Sequence, residues 1–242
     1  MLKGIKMPQT TTFSIPETIE LVIFDCDGVL VDSEMLSQRV LLSMLKDLGV
    51  VVSKQYFLTN FLGFNFEHVT AKVFADFSVT LTEAFRDNYR AALISVFAKE
   101  LQQTDGLNAI LADLKVKSCV ATSGSPEKVK NSLHYTQLES YFAGHVFTSS
   151  EVTNGKPAPD LFLHAAKQMA VAPEHCLVIE DSNAGVSAAL AANMHVIRYV
   201  GASHLKNSNN STQALADVST ITHWNQLFKQ IPSLSSSAKI EG

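Results

Sequence analysis

An open α/β fold is what this sequence predicts: a doubly wound, mostly parallel sheet with helices on both faces, interrupted by a small all-helical insertion. Three observations carry it. Short apolar runs recur at 21–24, 118–121, 145–148, 176–179 and 196–200, and most of them run straight into polar or charged residues. A buried parallel strand reads as such a run, ended by a turn. Helical periodicity fills the intervals between the later runs, and strands alternating with helices mean a parallel sheet. Residues 35–101, by contrast, carry helical periodicity and no strand signal.

Taken in order, residues 1–20 are polar and mixed, with Pro8, Pro16 and a threonine run at 10–12, and read as a loose leader in which Met7 is an alternative start. The first strand follows at 21–24. Leu36, Val40, Met44 and Leu48 then recur every four residues, one face of a helix that ends at Gly49. Ser53 caps a second helix to about Leu62, before Gly63. Asn65 caps a third, with Val69, Val73 and Phe77 as its apolar face. The stretch Thr80-Leu81-Thr82-Glu83 matches a capping box, and a long helix runs from it to about Leu101. This block is read as a second domain over 35–102, hinged near 33–36 and 102–106, set into a core of 1–34 and 103–242.

A short helix at 107–114 leads to the second strand, which ends in Thr122-Ser123-Gly124-Ser125. Ser125 caps a helix with Pro126 at its first position. The third strand leads to a loop containing Gly155-Lys156-Pro157. A helix over about 160–170 precedes the fourth strand, which ends in Glu180-Asp181-Ser182. An alanine-rich helix at 184–192, a strand at 196–200, a polar loop at 203–213 and a last helix near 223–230 complete the chain, with a Ser-rich end from 233 expected to be disordered.

Composition narrows the function. The chain has 242 residues, 46% apolar and 17% charged, with a net charge of -4 and no basic stripe, so neither nucleic acid nor an anionic membrane surface is indicated as a partner. No apolar run approaches the roughly 18 residues of a membrane span, and no secretory signal is evident. Cys26, Cys119 and Cys176 are widely spaced and read as small buried hydrophobes rather than a disulfide framework or zinc site. A cytoplasmic monomer is expected.

The chemistry lies at the strand ends. Asp25 and Asp27 follow the first strand, one residue apart, and project to one side of extended chain. In an open α/β sheet the carboxyl ends of the strands share one edge, where ligands bind. That edge would gather Asp25, Asp27, Thr122, Ser123, Lys156, Glu180 and Asp181. Carboxylates suit attack at phosphorus, proton transfer and Mg2+ ligation, while a hydroxyl and a lysine suit phosphoryl oxygens. Singly, each has a bland alternative: Asp-x-Asp-Gly as a turn, Ser125 and Ser182 as caps, Lys156 as a surface lysine, Glu180-Asp181 as a helix-entry pair. As an ordered set they do not.

That set resembles the haloacid dehalogenase superfamily in its phosphatase branch. Asp25 to Glu34 resembles the family's first motif, Val120-Ala121-Thr122 its second, Lys156-Pro157-Ala158-Pro159-Asp160 its third and Val178-Ile179-Glu180-Asp181-Ser182 its fourth. The helical block sits where that family carries a small cap. The resemblance implies a Rossmann-like core, a nucleophilic Asp25 forming an aspartyl-phosphate, and Asp27 as acid and then base, protonated when the first step begins. Thr122, with Ser123, and Lys156 would bind the phosphoryl group. Mg2+ would be held by Asp25, the Asp27 backbone carbonyl and Asp181, with Glu180 supporting. The β-phosphoglucomutase-like group, which includes sugar-phosphate and 6-phosphogluconate phosphatases, is the nearest in look. Where a mutase carries a histidine and a cap arginine, this chain has Ser37 and Phe66. Hydrolysis of a small phosphomonoester, a sugar or sugar-acid phosphate, is therefore expected. Gly63, Phe64, Asn65 and Lys128 are candidates for substrate specificity, although Lys128 also reads as a surface helix residue. A sugar phosphomutase, a dehalogenase and a non-enzymatic phospho-accepting domain remain as alternatives.

Overall fold

The computed structural model describes residues 18–61, 66–205 and 218–237. Its sheet has six strands in the order β3-β2-β1-β4-β5-β6. They are β1 (Leu21–Phe24), β2 (Lys117–Thr122), β3 (Val146–Thr148), β4 (Cys176–Glu180), β5 (His195–Tyr199) and β6 (Ser219–Ile221). Every pairing is parallel, with Phe24 opposite Val120 on one side and Ile179 on the other. Strand order reverses beside β1, so the crevice at its carboxyl end is the switch point where ligands bind in such sheets.

Period-two alternation divides the core. Val22, Phe24, Val120, Leu177, Ile179 and Ile197 face one layer with Trp224 and Phe142. Leu21, Ile23, Cys119, Ala121, Cys176 and Val178 face the other, with Leu161, Phe162 and Ala188. The three cysteines are buried and free. Among the described residues no helix is long and apolar enough to cross a membrane.

Helices α1 (Glu34–Asp47), α2 (Lys54–Asn60), α3 (Phe66–Phe77) and α4 (Glu83–Glu100) follow β1, with no intervening strand among the described residues. They enclose an apolar cluster of their own, including Leu41, Leu45, Phe57, Phe61, Val73 and Phe85. Val40, Leu93, Phe97 and Leu101 instead join the sheet-side cluster, and α4 packs on α6 (Pro126–Tyr135). The chain entering the block pairs with the chain leaving it: Asp32 N–H donates to Gln102 O at 3.0 Å and Thr104 N–H to Leu30 O at 3.0 Å.

The remaining helices are α5 (Leu107–Asp113), α7 (Asp160–Gln168), α8 (Asn183–Ala191) and α9 (Asn225–Gln230). Ser53, Ser125 and Ser182 cap helices as expected, each accepting a backbone N–H. Several sequence expectations are corrected. The cap of α4 is Thr82, not Thr80, because Leu81 is drawn into the helical cluster and pushes the helix start beyond it. The buried face of α1 runs through Val40, Leu41 and Leu45, and Leu48 is 45% exposed. A strict four-residue row advances past a full 3.6-residue turn and walks around the helix. Strand β6 carried no readable signal, since only Ile221 of its three residues is buried. Within the Ser-rich end, residues 233–237 are held in place, because the hydroxyls of Ser235, Ser236 and Ser237 converge on the Asp113 carboxylate. Gly63, Phe64 and Asn65 lie outside the described residues.

Candidate active site

Four strand ends meet at the carboxyl edge of β1. Asp25 continues the β1–β4 ladder, its N–H donating to Ile179 O at 3.0 Å, which aims its side chain into the crevice. Gly28 then turns the chain at φ +78°, and Val31 and Leu30 donate back to Cys26 O. This tight turn places Asp25 and Asp27 at the same edge while the chain leaves toward α1.

Lys156 is the centre of charge. Its side chain is 4% exposed, and its Nζ lies 2.6 Å from Asp25 Oδ1, 2.8 Å from Glu180 Oε1 and 3.0 Å from the Ala121 carbonyl. It also sits 4.7 Å from the centre of the Phe162 ring. Burial works against its charge, but the two carboxylates outweigh burial and raise its pKa. The loop after β3 thus delivers a cation to the end of β1, as the residue order suggested.

Glu180 is fully engaged. Beyond Lys156, its Oε2 accepts from the Ser182 N–H at 2.7 Å and the Ser182 hydroxyl at 2.9 Å. Both oxygens are taken by protein donors, so Glu180 braces Lys156 and the start of α8. A Cβ at Gly185 would lie 1.6 Å from Glu180 Oε1, so the first turn of α8 closes directly on this carboxylate.

Asp27 is held differently. Its Oδ1 accepts from Ser33 Oγ at 2.5 Å and its Oδ2 from Lys128 Nζ at 2.8 Å. Burial raises its pKa, yet Lys128 and the two hydrogen bonds more than compensate and keep it below the ordinary carboxylate value. Lys128 thus favours the carboxylate form of Asp27. Lys128 is no solvated surface residue: its side chain is 26% exposed and points from α6 to the site, near the Phe97 ring. Ser33, at the start of α1, does not cap that helix; its hydroxyl serves Asp27 instead.

Thr122 is buried at the end of β2, and its Oγ1 accepts the Gly124 N–H at 3.1 Å. Ser123 is exposed, and its carbonyl rather than its hydroxyl is engaged, by Ser149 Oγ at 3.2 Å. Asp181 is 8% exposed, with Oδ2 at 3.2 Å from His204 Nε2.

No metal is part of this structure, and no group of three or more acidic, His or Cys side chains among the described residues forms a ready-made metal site. The donor chemistry nevertheless fits Mg2+, which takes one or two carboxylates and fills its other positions with water and phosphate oxygens. Burial, with Glu180 and Asp181 adding to it against the pull of Lys156, pushes Asp25 well above the usual carboxylate range. Burial likewise raises Asp181. Buried negative charge in excess of the local cations is what a divalent ion would relieve.

Sequence reasoning overlooked three contributors. Ser33 and Glu34 lay within the first motif without assigned roles, and burial beside Asp27 pushes the Glu34 carboxyl up to about 7. His204 had no local signal. Its one clue was its place in the loop after β5, at the same sheet edge.

The haloacid dehalogenase-like hydrolase family matches residues 22–199. The 6-phosphogluconate phosphatase of Escherichia coli strain K12 is 31% identical over 86% of this chain and 93% of its own. A phosphorylated carbohydrates phosphatase of Thermotoga maritima is 29% identical over 84% of this chain and 93% of its own. A crystal structure of a haloacid dehalogenase-like protein of unknown function from Agrobacterium tumefaciens superposes with a TM-score of 0.69, at 30% identity, covering 88% of this chain and 90% of that one. On the strength of the family match and the phosphatases among its relatives, the chain belongs to the haloacid dehalogenase-like hydrolases and is a phosphoric monoester hydrolase.

Proposed function

We propose that this enzyme hydrolyses a sugar or sugar-acid phosphate through an aspartyl-phosphate on Asp25, with Mg2+ as cofactor and α1 to α4 as a cap over the site. The observation that carries the reading is the Lys156 ammonium 2.6 Å from a buried Asp25 carboxylate at the switch point of a parallel sheet. A carboxylate beside an ammonium supports attack at phosphorus with the charge of the phosphoryl oxygens neutralised. Phosphoryl transfer needs little more than such positioning and charge stabilisation.

Asp25 attacks phosphorus and the ester P–O bond breaks. The departing alkoxide takes a proton from Asp27. Asp27, again a carboxylate, takes a proton from water, which attacks phosphorus and breaks the P–O bond to Asp25. Lys156 and Thr122 bind the phosphoryl oxygens throughout. Mg2+, held by Asp25 and Asp181 with the Asp27 backbone carbonyl, would supply further neutralisation of phosphoryl charge. Lys128 restrains Asp27 as an anion until substrate arrives; a polar or anionic substituent of the substrate would draw Lys128 off, and Asp27 would then take up from solvent the proton that it passes to the departing alkoxide. A sugar or sugar acid provides such a group, in keeping with the substrates named for the Escherichia coli and Thermotoga relatives. Phe66 stacks on Tyr89 with ring centres 5.8 Å apart, an aromatic contact and not a second phosphate site, which favours hydrolysis over mutase chemistry.

The test is phosphate release from 6-phosphogluconate, hexose and hexitol phosphates, phosphoglycolate and nucleotides, with and without Mg2+. Sugar or sugar-acid phosphates should be turned over best, only with Mg2+, and Asp25→Asn should abolish turnover while leaving the circular dichroism unchanged. Near-normal turnover by that variant would refute the mechanism. Conversion of β-glucose 1-phosphate to glucose 6-phosphate without phosphate release would show a mutase instead.

A further inference from the structure

His204 lies on the loop after β5, far in sequence from every motif. The loop is tied across the site: Ser203 donates to Asp32 through its N–H at 3.2 Å and its hydroxyl at 2.8 Å. That tie turns the His204 side chain inward, where it is 4% exposed and its Nε2 meets Asp181 Oδ2 at 3.2 Å. Among the described residues its Nδ1 is buried without a hydrogen-bond partner. A histidine retained as a polar core residue would ordinarily have both ring nitrogens satisfied. Among the described residues this one has Asp181 as the partner of one nitrogen and none for the other, so its contact with Asp181 is the interaction that accounts for its place.

The surroundings are built to admit that contact. A Cβ at Gly28 would fall 2.0 Å from Asp181 Oδ2 and 3.0 Å from His204 Cε1. The carboxylate and the imidazole therefore fill the space left by the missing side chain. Arg198 Nε donates to the Asp181 backbone carbonyl at 3.2 Å, which steadies the main chain of the same residue. With Oδ2 committed to the imidazole, Oδ1 is the Asp181 oxygen left for a cation. One oxygen offered in a fixed direction suits Mg2+, which binds few carboxylates and demands near-octahedral geometry.

We propose that His204 is a positioning residue for the cation site, orienting Asp181 so that its free oxygen faces Mg2+. The proposal rests on the reading above that Asp181 holds Mg2+. It goes beyond that reading by assigning the ligand's orientation to a residue on a different strand loop. Loss of such a partner typically weakens metal affinity by about 10–100-fold.

The experiment is Mg2+ binding by the full chain, measured by calorimetry and by the rise of the unfolding temperature with Mg2+ concentration, no substrate being present. His204→Ala is expected to raise the Mg2+ dissociation constant about 10–100-fold, and His204→Gln, whose amide can still donate, to recover part of the loss. A structural role alone would lower the unfolding temperature of both variants at every Mg2+ concentration and leave the affinity unchanged, which would overturn the proposal. If His204→Ala does not fold, unchanged affinity in His204→Gln together with a lowered unfolding temperature overturns it equally. Asp181→Ala separates the two levels. If wild type and Asp181→Ala bind Mg2+ alike, the assignment of Asp181 fails and the proposal with it. If Asp181→Ala loses binding while the His204 variants do not, only the role of His204 fails.

Discussion

Gly185→Ala places two effects in opposition, and the structure decides between them. Gly185 sits in the first turn of α8, where alanine is favoured over glycine by about 1 kcal/mol on helix propensity. Its Cβ, however, would lie 1.6 Å from Glu180 Oε1 and 1.9 Å from Glu180 Cδ. A flexible surface glutamate would swing aside at little cost. Glu180 is 1% exposed and tied by Lys156 at 2.8 Å and by Ser182 at 2.7 and 2.9 Å. Moving it removes one of the two carboxylates that hold a buried lysine. Breaking a buried ion pair costs about 3–5 kcal/mol, so the net loss is about 3 kcal/mol. For a chain of this size that corresponds to a fall of roughly 6–12 °C in the unfolding temperature. Lys156 would shift with its partner, and a misplacement of about 1 Å in such a site lowers turnover by roughly 100-fold. Calorimetry and a phosphate-release assay read the two effects. An unfolding temperature equal to or above wild type, with full activity, would refute the reasoning, since it would mean that Glu180 is free to move.

Two further outcomes follow from buried groups. The Glu34 carboxyl is raised from 4.5 to about 7 by burial, with Asp27 and Asp181 adding to it and Lys128 and His204 opposing; the folded state thus holds its proton to higher pH than the unfolded state does. Stability from this group is full below about pH 4.5 and lost as pH rises through about 7, a change of order 3 kcal/mol. Glu34→Gln should therefore flatten the fall in unfolding temperature over that window, and an unchanged pH profile would count against a raised Glu34 carboxyl. Trp224 is 1% exposed, stacks on Tyr199 at 4.5 Å and donates through Nε1 to Thr104 Oγ1 at 2.8 Å, while the Thr104 hydroxyl donates to Val29 O. Trp224→Phe should cost about 1–3 kcal/mol from the lost bond and the smaller ring, read by denaturant unfolding followed by circular dichroism; no loss would show that the turn after β1 does not depend on this link.

The sequence by itself determined the class of fold and most of the candidate site. Apolar runs of strand length, each running into charge or hydroxyl, dictate buried parallel strands and put Asp25, Asp27, Thr122, Lys156, Glu180 and Asp181 at their ends. Those are local properties: a period, a composition, a turn. Only the tertiary structure decided what these residues touch. Lys128 reads as a surface residue along its helix, yet it meets Asp27, 101 positions away. Ser33 carried no assigned role in the first motif, and its hydroxyl serves Asp27. His204 reaches Asp181 only because the loop after β5 is tied to Asp32, 171 positions earlier. Strand β6 and the serines on Asp113 escaped notice for the same cause. Their places depend on a neighbour supplied by a distant part of the chain, and such pairings arise from the register of the sheet and the packing of its loops, which no local pattern encodes.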